Sequence, residues 1–130
     1  MTKRLMMAGL LALGSGLAMA QAASAPAASV PLFAVEFRTG PGWDKNKPYQ
    51  EQAEVRAHSA NLKKLRDQGS LVMGARYGEV GLVVLAAENE AAAHEMVRQD
   101  PSVKAGTFAY QLNEFSVFYG GTLQPAPRRR

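Results

Sequence analysis

The strongest constraint on this chain is how its apolar residues change period between residues 32 and 119. Phe33, Val35 and Phe37 alternate with Leu32, Ala34, Glu36 and Arg38, the period-two pattern of a strand. Thr39, Gly40, Pro41, Gly42, Trp43 and Asp44 interrupt it as a loop. Helical spacing then takes over. Val55, His58, Leu62 and Leu65 form one stripe of a helix predicted to run from Pro48, a residue suited to a first turn, to Gln68, with Gly69 as its stop. Residues 71–77 and 82–87 read as two strands around a turn containing Gly78. Leu82, Val83, Val84 and Leu85 are apolar at both parities, so both faces of that strand should be covered. Residues 88–99 read as a second helix with Ala93, Met96 and Val97 on one side. It should stop at Asp100, because the residue before Pro101 is pushed out of the helical region. Residues 108–119 close the pattern as a strand whose apolar parity shifts between Leu112 and Phe115, predicting a bulge at Asn113 and Glu114.

The order β-α-β-β-α-β is that of the ferredoxin-like split βαβ. The predicted fold class is therefore α+β, a four-stranded antiparallel sheet with two helices on one face. The uncovered face must meet something else, and a second copy of the chain, giving a homodimer, is the simplest occupant. A folded unit over residues 31–120 buries only ~60–65% of its unfolded surface, so pairing would add needed stability.

The chain has 130 residues, enough for one such domain, and carries 15 Lys+Arg against 11 Asp+Glu, a net charge of +4. That balance suggests nucleic acid until the positions of the charges are read. Lys3 and Arg4 precede an apolar run over residues 5–20 that ends in Ala18, Met19 and Ala20, the pattern of a secretory signal peptide. Cleavage is expected after Ala20, with Ala25 as a later option. The run contains Gly9, Gly14, Ser15 and Gly16 and is short for a spanning helix, so no stable membrane anchor should remain after cleavage. Residues 21–30 are an Ala/Ser/Pro linker, and residues 121–130 form a tail ending in Arg128, Arg129 and Arg130. Taking these five charges from the fifteen leaves ten basic residues against eleven acidic ones. The body is nearly neutral, and a nucleic-acid surface is not expected. A periplasmic or secreted location follows, and the absence of Cys means that the domain holds together without disulfides.

Motifs for phosphate-cradling loops, dinucleotide-binding glycines and a nucleophile elbow are absent from the sequence. The two histidines lie 36 positions apart, which does not suit a local metal motif, so neither a metal nor a cofactor is expected. His58 stands out because it occupies an inward helical position where an apolar residue belongs. A half-buried imidazole there can move a proton near neutral pH. It could equally be a core histidine satisfied by a carbonyl, or paired with Glu54 one turn earlier. Asp100 is the second candidate. Carried on the last turn of the second helix, it would share a side with Ala93 and Met96 and face an unfavourable dipole, which calls for a cationic partner such as His58. Asp before Pro is also an ordinary way to end a helix. His94, beside Glu95, reads as a solvated surface residue.

Two segments carry a family resemblance. His58, Leu62 and Leu65 followed by Gly69, Leu71 and Gly74 are similar to the H-x-x-x-L-x-x-L…G-x-L-x-x-G signature of the YciI-like (YCII-related) domain. Asp100, Pro101, Val103, Ala105 and Gly106 resemble that family's DP-x-V-x-A-G signature. The resemblance extends over about residues 30–119. It implies a ferredoxin-like fold that dimerises through its sheet faces, as in muconolactone-isomerase-like proteins of the dimeric α+β barrel superfamily, and a His–Asp site at His58 and Asp100. Some relatives act on chlorinated or hydroxylated ring compounds, and others have no assigned reaction. Ser59 stands where Leu is common, Ala75 and Arg76 replace a usual Pro, and the turn between the middle strands is short, which loosens any carry-over of substrate.

The expectation is an exported enzyme, an isomerase or lyase working without a cofactor, in which His58 oriented by Asp100 transfers a proton on a small organic molecule. Arg38 and Arg76 could bind an anionic group, Tyr77 and Tyr110 could line the cleft, and Trp43 could cap it as a lid or pack its loop against the first helix. The rival expectation is a noncatalytic binding or interaction module in which the His58–Asp100 pair is structural. A third is a surface-acting peptide tail at Arg128 to Arg130.

Overall fold

Alternating burial along Leu32–Thr39 makes this segment, β1, the spine of the sheet: Phe33, Val35 and Phe37 are buried, and the residues between them are partly open. β1 pairs antiparallel on one side with β3 (Val80–Ala86) and on the other with β4 (Phe108–Glu114). β2 (Leu71–Tyr77) adds to the far side of β3, giving the order β2-β3-β1-β4. With α1 (Val55–Asp67), α2 (Glu90–Arg98) and α3 (Pro101–Lys104) interleaved, this is the ferredoxin-like α+β sheet expected from the periodicity. The computed structural model describes residues 29–127, so the export segment with both cleavage points, most of the linker and Arg128 to Arg130 lie outside the described residues. Among the described residues no helix is long and apolar enough to cross a membrane.

The core forms on one face of the sheet. Val35, Phe37, Val83, Leu85 and Val97 are its buried centre, with Leu62, Leu65, Met96 and Leu112 packed around them. Val84, of opposite parity on β3, is also only 1% exposed, so the strand is covered on both faces as its composition required. The other face carries Ala34, Glu36, Leu82 and Tyr77, and Tyr77 donates a hydrogen bond to Glu36 across the sheet.

Four boundaries differ by two residues or more from the sequence expectation, one of them the strand read over 82–87, which starts at Val80. The first helix begins at Val55 rather than near Pro48. Residues Tyr49–Glu51 make a separate 3-10 turn, and Glu54 takes a left-handed conformation at φ 61° that breaks the run. Tertiary bonds win over helix propagation here: Gln52 turns inward to bond the backbone of Asp44 and Lys47, and the Thr107 hydroxyl donates to the Ala53 carbonyl. The helix stop is as expected. Gly69, at φ 80°, donates to the Arg66 carbonyl while Ser70 donates to that of Leu65, a Schellman closure. The second helix starts two residues late because Asn89 caps it by accepting from the Ala92 amide at 2.8 Å. The closing strand ends at Glu114 rather than Tyr119. Phe115 still bonds the Leu32 carbonyl, but β1 begins there and Pro31 precedes it, so the predicted bulge is instead the end of the ladder.

Candidate active site

Three elements converge at one end of the helix-covered sheet face. α1 presents His58 one turn from its start, with Val55 and His58 as its buried residues. The junction between α2 and α3 presents Asp100. The sequence expectation placed this carboxylate at a helix C-terminus, against the dipole; it sits instead as the N-cap of α3, where the dipole favours negative charge. Pro101 is what makes this work. It ends α2 and then supplies the first residue of the next helical turn, a position where a missing N–H costs nothing.

The His58 Nδ1–H donates to Asp100 Oδ2 at 2.8 Å, and both side chains are buried, with Asp100 only 1% exposed. Asn61, on the next turn of α1, donates its amide to the same oxygen at 3.1 Å. The second carboxylate oxygen accepts the Ser102 backbone N–H at 2.9 Å and the Ser102 hydroxyl at 2.6 Å. Ser102 Oγ also lies 3.2 Å from His58 Nδ1. Burial pushes the Asp100 carboxyl upward. The hydrogen bonds from His58 and Ser102 and the neighbouring imidazole outweigh it, leaving the group below the usual carboxylate range. An ionised Asp100 only accepts, so the proton of the pair resides on Nδ1, and in the neutral ring Nε2 is left as an acceptor. Pairing of His58 with Glu54 does not occur; between them there is only the backbone bond from the His58 amide to the Glu54 carbonyl.

Beside this pair opens a cavity of about 390 Å³, within the range of small-molecule sites. His58 lines it, held edge-on by Phe37 and Phe108 at ring separations of 5.1 and 5.0 Å. No buried side-chain nitrogen or oxygen among the described residues lacks a hydrogen-bond partner. Nε2 has no hydrogen-bond partner within the protein and so is not sealed from solvent, and the ring that carries it lines the cavity. Trp43 forms a wall, stacked on Phe108 at 5.9 Å and against Tyr49 at 6.2 Å. Its loop is pinned to the α3–β4 connection, with Gly40 donating to the Thr107 carbonyl and Gly42 to that of Gly106, both at 2.8 Å. A Cβ on Gly40 would lie 2.2 Å from the Gly106 carbonyl oxygen, so only glycine permits this approach.

Of the side chains named from sequence as ligand contacts, Arg76 shares its sheet face with the cavity, and Arg38 lines the rim while its guanidinium pairs with Glu36 at 3.5 Å. Tyr77 and Tyr110 do not line it. Tyr77 has the opposite parity and bonds Glu36 on the other sheet face. The Tyr110 hydroxyl bonds His94 Nδ1 at 2.8 Å under α2. His94 is accordingly half-buried, with Glu90 3.5 Å from its other nitrogen, rather than a solvated surface residue. Alternation cannot tell which face of a sheet becomes the cavity, and that decides Tyr77; Tyr110 shares the cavity's face, paired with Phe37, but lies under α2. Asn61, Ser102, Tyr49 and Phe108 went unnamed from sequence. Only Asn61, three residues beyond His58, and Ser102, two beyond Asp100, carried a spacing signal that could have found them.

The profile of the YCII-related domain matches residues 42–116, more than half of the chain. The chain belongs to the YCII-related domain family. The match leaves out β1, although β1 is the central strand of this YCII-related domain. Among solved structures, muconolactone isomerase is similar, with 14% identity over 75% of this chain and 99% of its own and a TM-score of 0.52. So is 5-chloro-2-hydroxyhydroquinone dehydrochlorinase from Burkholderia phenoliruptrix, solved with 2,5-dihydroxybenzoquinone, at 22% identity, 65% and 93% coverage and a TM-score of 0.47. The likeness to muconolactone isomerase is one of fold alone. No curated protein matches the chain by sequence.

Proposed function

We propose that this YCII-related protein is a cofactor-independent enzyme that transfers a proton on a small organic anion, with His58 Nε2 as general base and, once protonated, general acid. The observation that carries the reading is the 2.8 Å bond between His58 Nδ1 and a buried, ionised Asp100 at the edge of a cavity large enough for a substrate. Asp100 holds the tautomer that leaves Nε2 free, and its charge stabilises the imidazolium formed when Nε2 takes a proton. Isomerisation, elimination of a leaving group and lactone opening all need such a proton transfer. Arg76, on the cavity side of β2, supplies positive charge for a carboxylate or enolate.

The protein acts outside the cytoplasm after removal of residues 1–20 or 1–25, and it works as a homodimer paired through the sheet face that its helices leave open. The mass of the mature chain and its sedimentation test these two points.

A screen of lactones and phenols in deuterated buffer, read by NMR for exchange or turnover, tests the chemistry. Activity that disappears in His58→Gln while the fold persists is the expected result. Turnover that survives the substitution sinks the assignment. A noncatalytic binding module is the second reading, favoured by one observation: Asp100 also caps α3 and has every bond satisfied within the protein. Under that reading, removing the pair lowers stability and leaves ligand affinity unchanged.

A further inference from the structure

Two polar side chains flank Asp100 at positions where packing by itself favours apolar ones. Asn61 borders the groove between α1 and α2, among Leu65, Ala92 and Met96. Ser102 is 0% exposed near the start of α3, where the helix cap needs only its backbone N–H. Burying an amide or a hydroxyl costs free energy unless it is bonded, and both spend their donors on one carboxylate. Asn61 donates to Oδ2 at 3.1 Å, and the Ser102 hydroxyl donates to Oδ1 at 2.6 Å. With the His58 Nδ1–H and the Ser102 backbone N–H, Asp100 accepts four bonds, two on each oxygen. An ionised carboxylate has about four acceptor sites, so His58 holds one of them and neutral donors hold the rest.

That division matters for the base. A carboxylate beside an imidazole favours the imidazolium, a ring with no acceptor nitrogen left. Each neutral donor on Asp100 takes up part of the charge that would drive this. We propose that Asn61 and Ser102 are positioning residues that hold the pair as carboxylate and neutral imidazole, and so keep Nε2 available to accept a proton. The inference rests on the proton-transfer reading and adds the residues that regulate its base. Among the described residues no other titratable side chain bonds either member. Phe37 and Phe108 meet the ring from β1 and β4, and Glu54 offers it only a backbone carbonyl. The charged groups that line the cavity are Arg38, Arg76 and Glu79, and neither substitution below alters them. Ser102 Oγ also lies 3.2 Å from Nδ1 and so touches both members of the pair, whereas the Asn61 amide bonds Asp100 alone. Asn61 is therefore the cleaner position to change.

The test is NMR of the full chain with ring-¹⁵N histidine, comparing wild type with Asn61→Leu and Ser102→Ala across one pH series. Leu at position 61 continues the apolar groove of Leu65 and Met96, and Ala at position 102 keeps the backbone N–H that caps α3, so both variants should fold. Asn61→Ala is the readout if the larger side chain disturbs α1. At any one pH the ratio of imidazolium to neutral ring at His58 should rise about three- to tenfold in Asn61→Leu, the effect of removing one donor from a charged acceptor. Ser102→Ala should move it in the same direction. The His58 Nδ1–H signal should shift downfield in Asn61→Leu, because Oδ2 then serves a single donor. The His94 ring, bonded to Tyr110, is the internal control and should not move. A His58 ratio that stays at the wild-type value in both variants, or falls in Asn61→Leu, overturns the proposal; a merely structural role for Asn61 would lower the melting temperature and leave the ratio unchanged. Turnover that survives in His58→Gln sinks the proton-transfer reading instead, and leaves this ring measurement as it stands.

Discussion

Replacing Asp100 by Asn exchanges one carboxylate oxygen for an NH₂ group and tests most of the site's logic. All the partners of this carboxylate are donors: the His58 Nδ1–H and Asn61 amide on one oxygen, and the Ser102 backbone N–H and hydroxyl on the other. An amide offers one acceptor oxygen and one donor nitrogen, so one half of this arrangement must become donor facing donor. The Ser102 backbone N–H cannot turn around. The favourable orientation therefore keeps the amide oxygen toward Ser102 and points the NH₂ at His58 and Asn61. His58 can respond only by moving its proton to Nε2, which removes the acceptor from the cavity, and Asn61 only by flipping its amide.

The cost is the loss of charge-assisted bonds at a site that is 1% exposed. Such bonds contribute about 1.5–3 kcal/mol each, and a buried donor left without an acceptor costs about 1–3 kcal/mol. With tautomer and amide readjustment recovering part of this, the expected destabilisation at pH 7 is about 2–4 kcal/mol. In a domain of this size each kcal/mol moves the thermal midpoint by ~4–8 °C. The pH dependence has a definite sign. Asp100 lies below its ordinary value in the folded state, so its stabilisation is complete above the unfolded carboxylate pKa of about 4 and is lost as pH falls through the folded value. Thermal unfolding followed by circular dichroism at pH 7 and under strongly acidic conditions should show a gap between wild type and Asp100→Asn that closes on acidification. Nitrogen shifts of the His58 ring should report the proton on Nδ1 in the wild type and on Nε2 in the variant. Equal stability at pH 7, a gap indifferent to pH, or an unchanged tautomer would refute the reasoning.

Gly40→Ala places a methyl group against the Gly106 carbonyl, a backbone atom that cannot yield, and should cost about 1–3 kcal/mol or more in urea unfolding; a neutral result would mean that the loop is not pinned there. Gln52→Ala removes the bonds to Asp44 and Lys47 that hold the Trp43 loop, and should cost about 1–3 kcal/mol while shifting Trp43 emission toward the red. Unaltered emission in a destabilised variant would show that Gln52 supports the fold without placing the wall. Tyr110→Phe breaks only the bond to His94 beneath α2, so it should cost about 0.5–1.5 kcal/mol and leave Trp43 emission at the wild-type wavelength. A shifted emission would return Tyr110 to the cavity.

The legible parts of this protein are those governed by neighbours in sequence. Alternation marked β1, the all-apolar run marked a strand covered on both faces, and Gly69 marked the helix stop, because each follows from local periodicity or a single residue's allowed φ. His58 could be singled out because a titratable ring replaced an apolar residue in an inward stripe, and Asp100 because a carboxylate on the packed side of a helix needs a partner. That the two meet across 42 positions at 2.8 Å was decided by the sheet order, which brings the start of α1 beside the end of α2. The environment of Asp100 was likewise a tertiary outcome: the same Asp-Pro pair that ends one helix begins the next, exchanging an opposing dipole for a favourable one.

The late start of the first helix, the pinned Trp43 loop and the placing of the two tyrosines outside the cavity were not legible, since each rests on bonds between separate segments. Gln52 to Asp44, Thr107 to Ala53 and Gly40 to Thr107 connect segments whose approach no local pattern encodes. Periodicity by itself determined which elements exist and which residues are chemically out of place. Only packing decided which sheet face holds the cavity, and therefore that His58 lines it between Phe37 and Phe108, because faces acquire contents only when distant segments close over them.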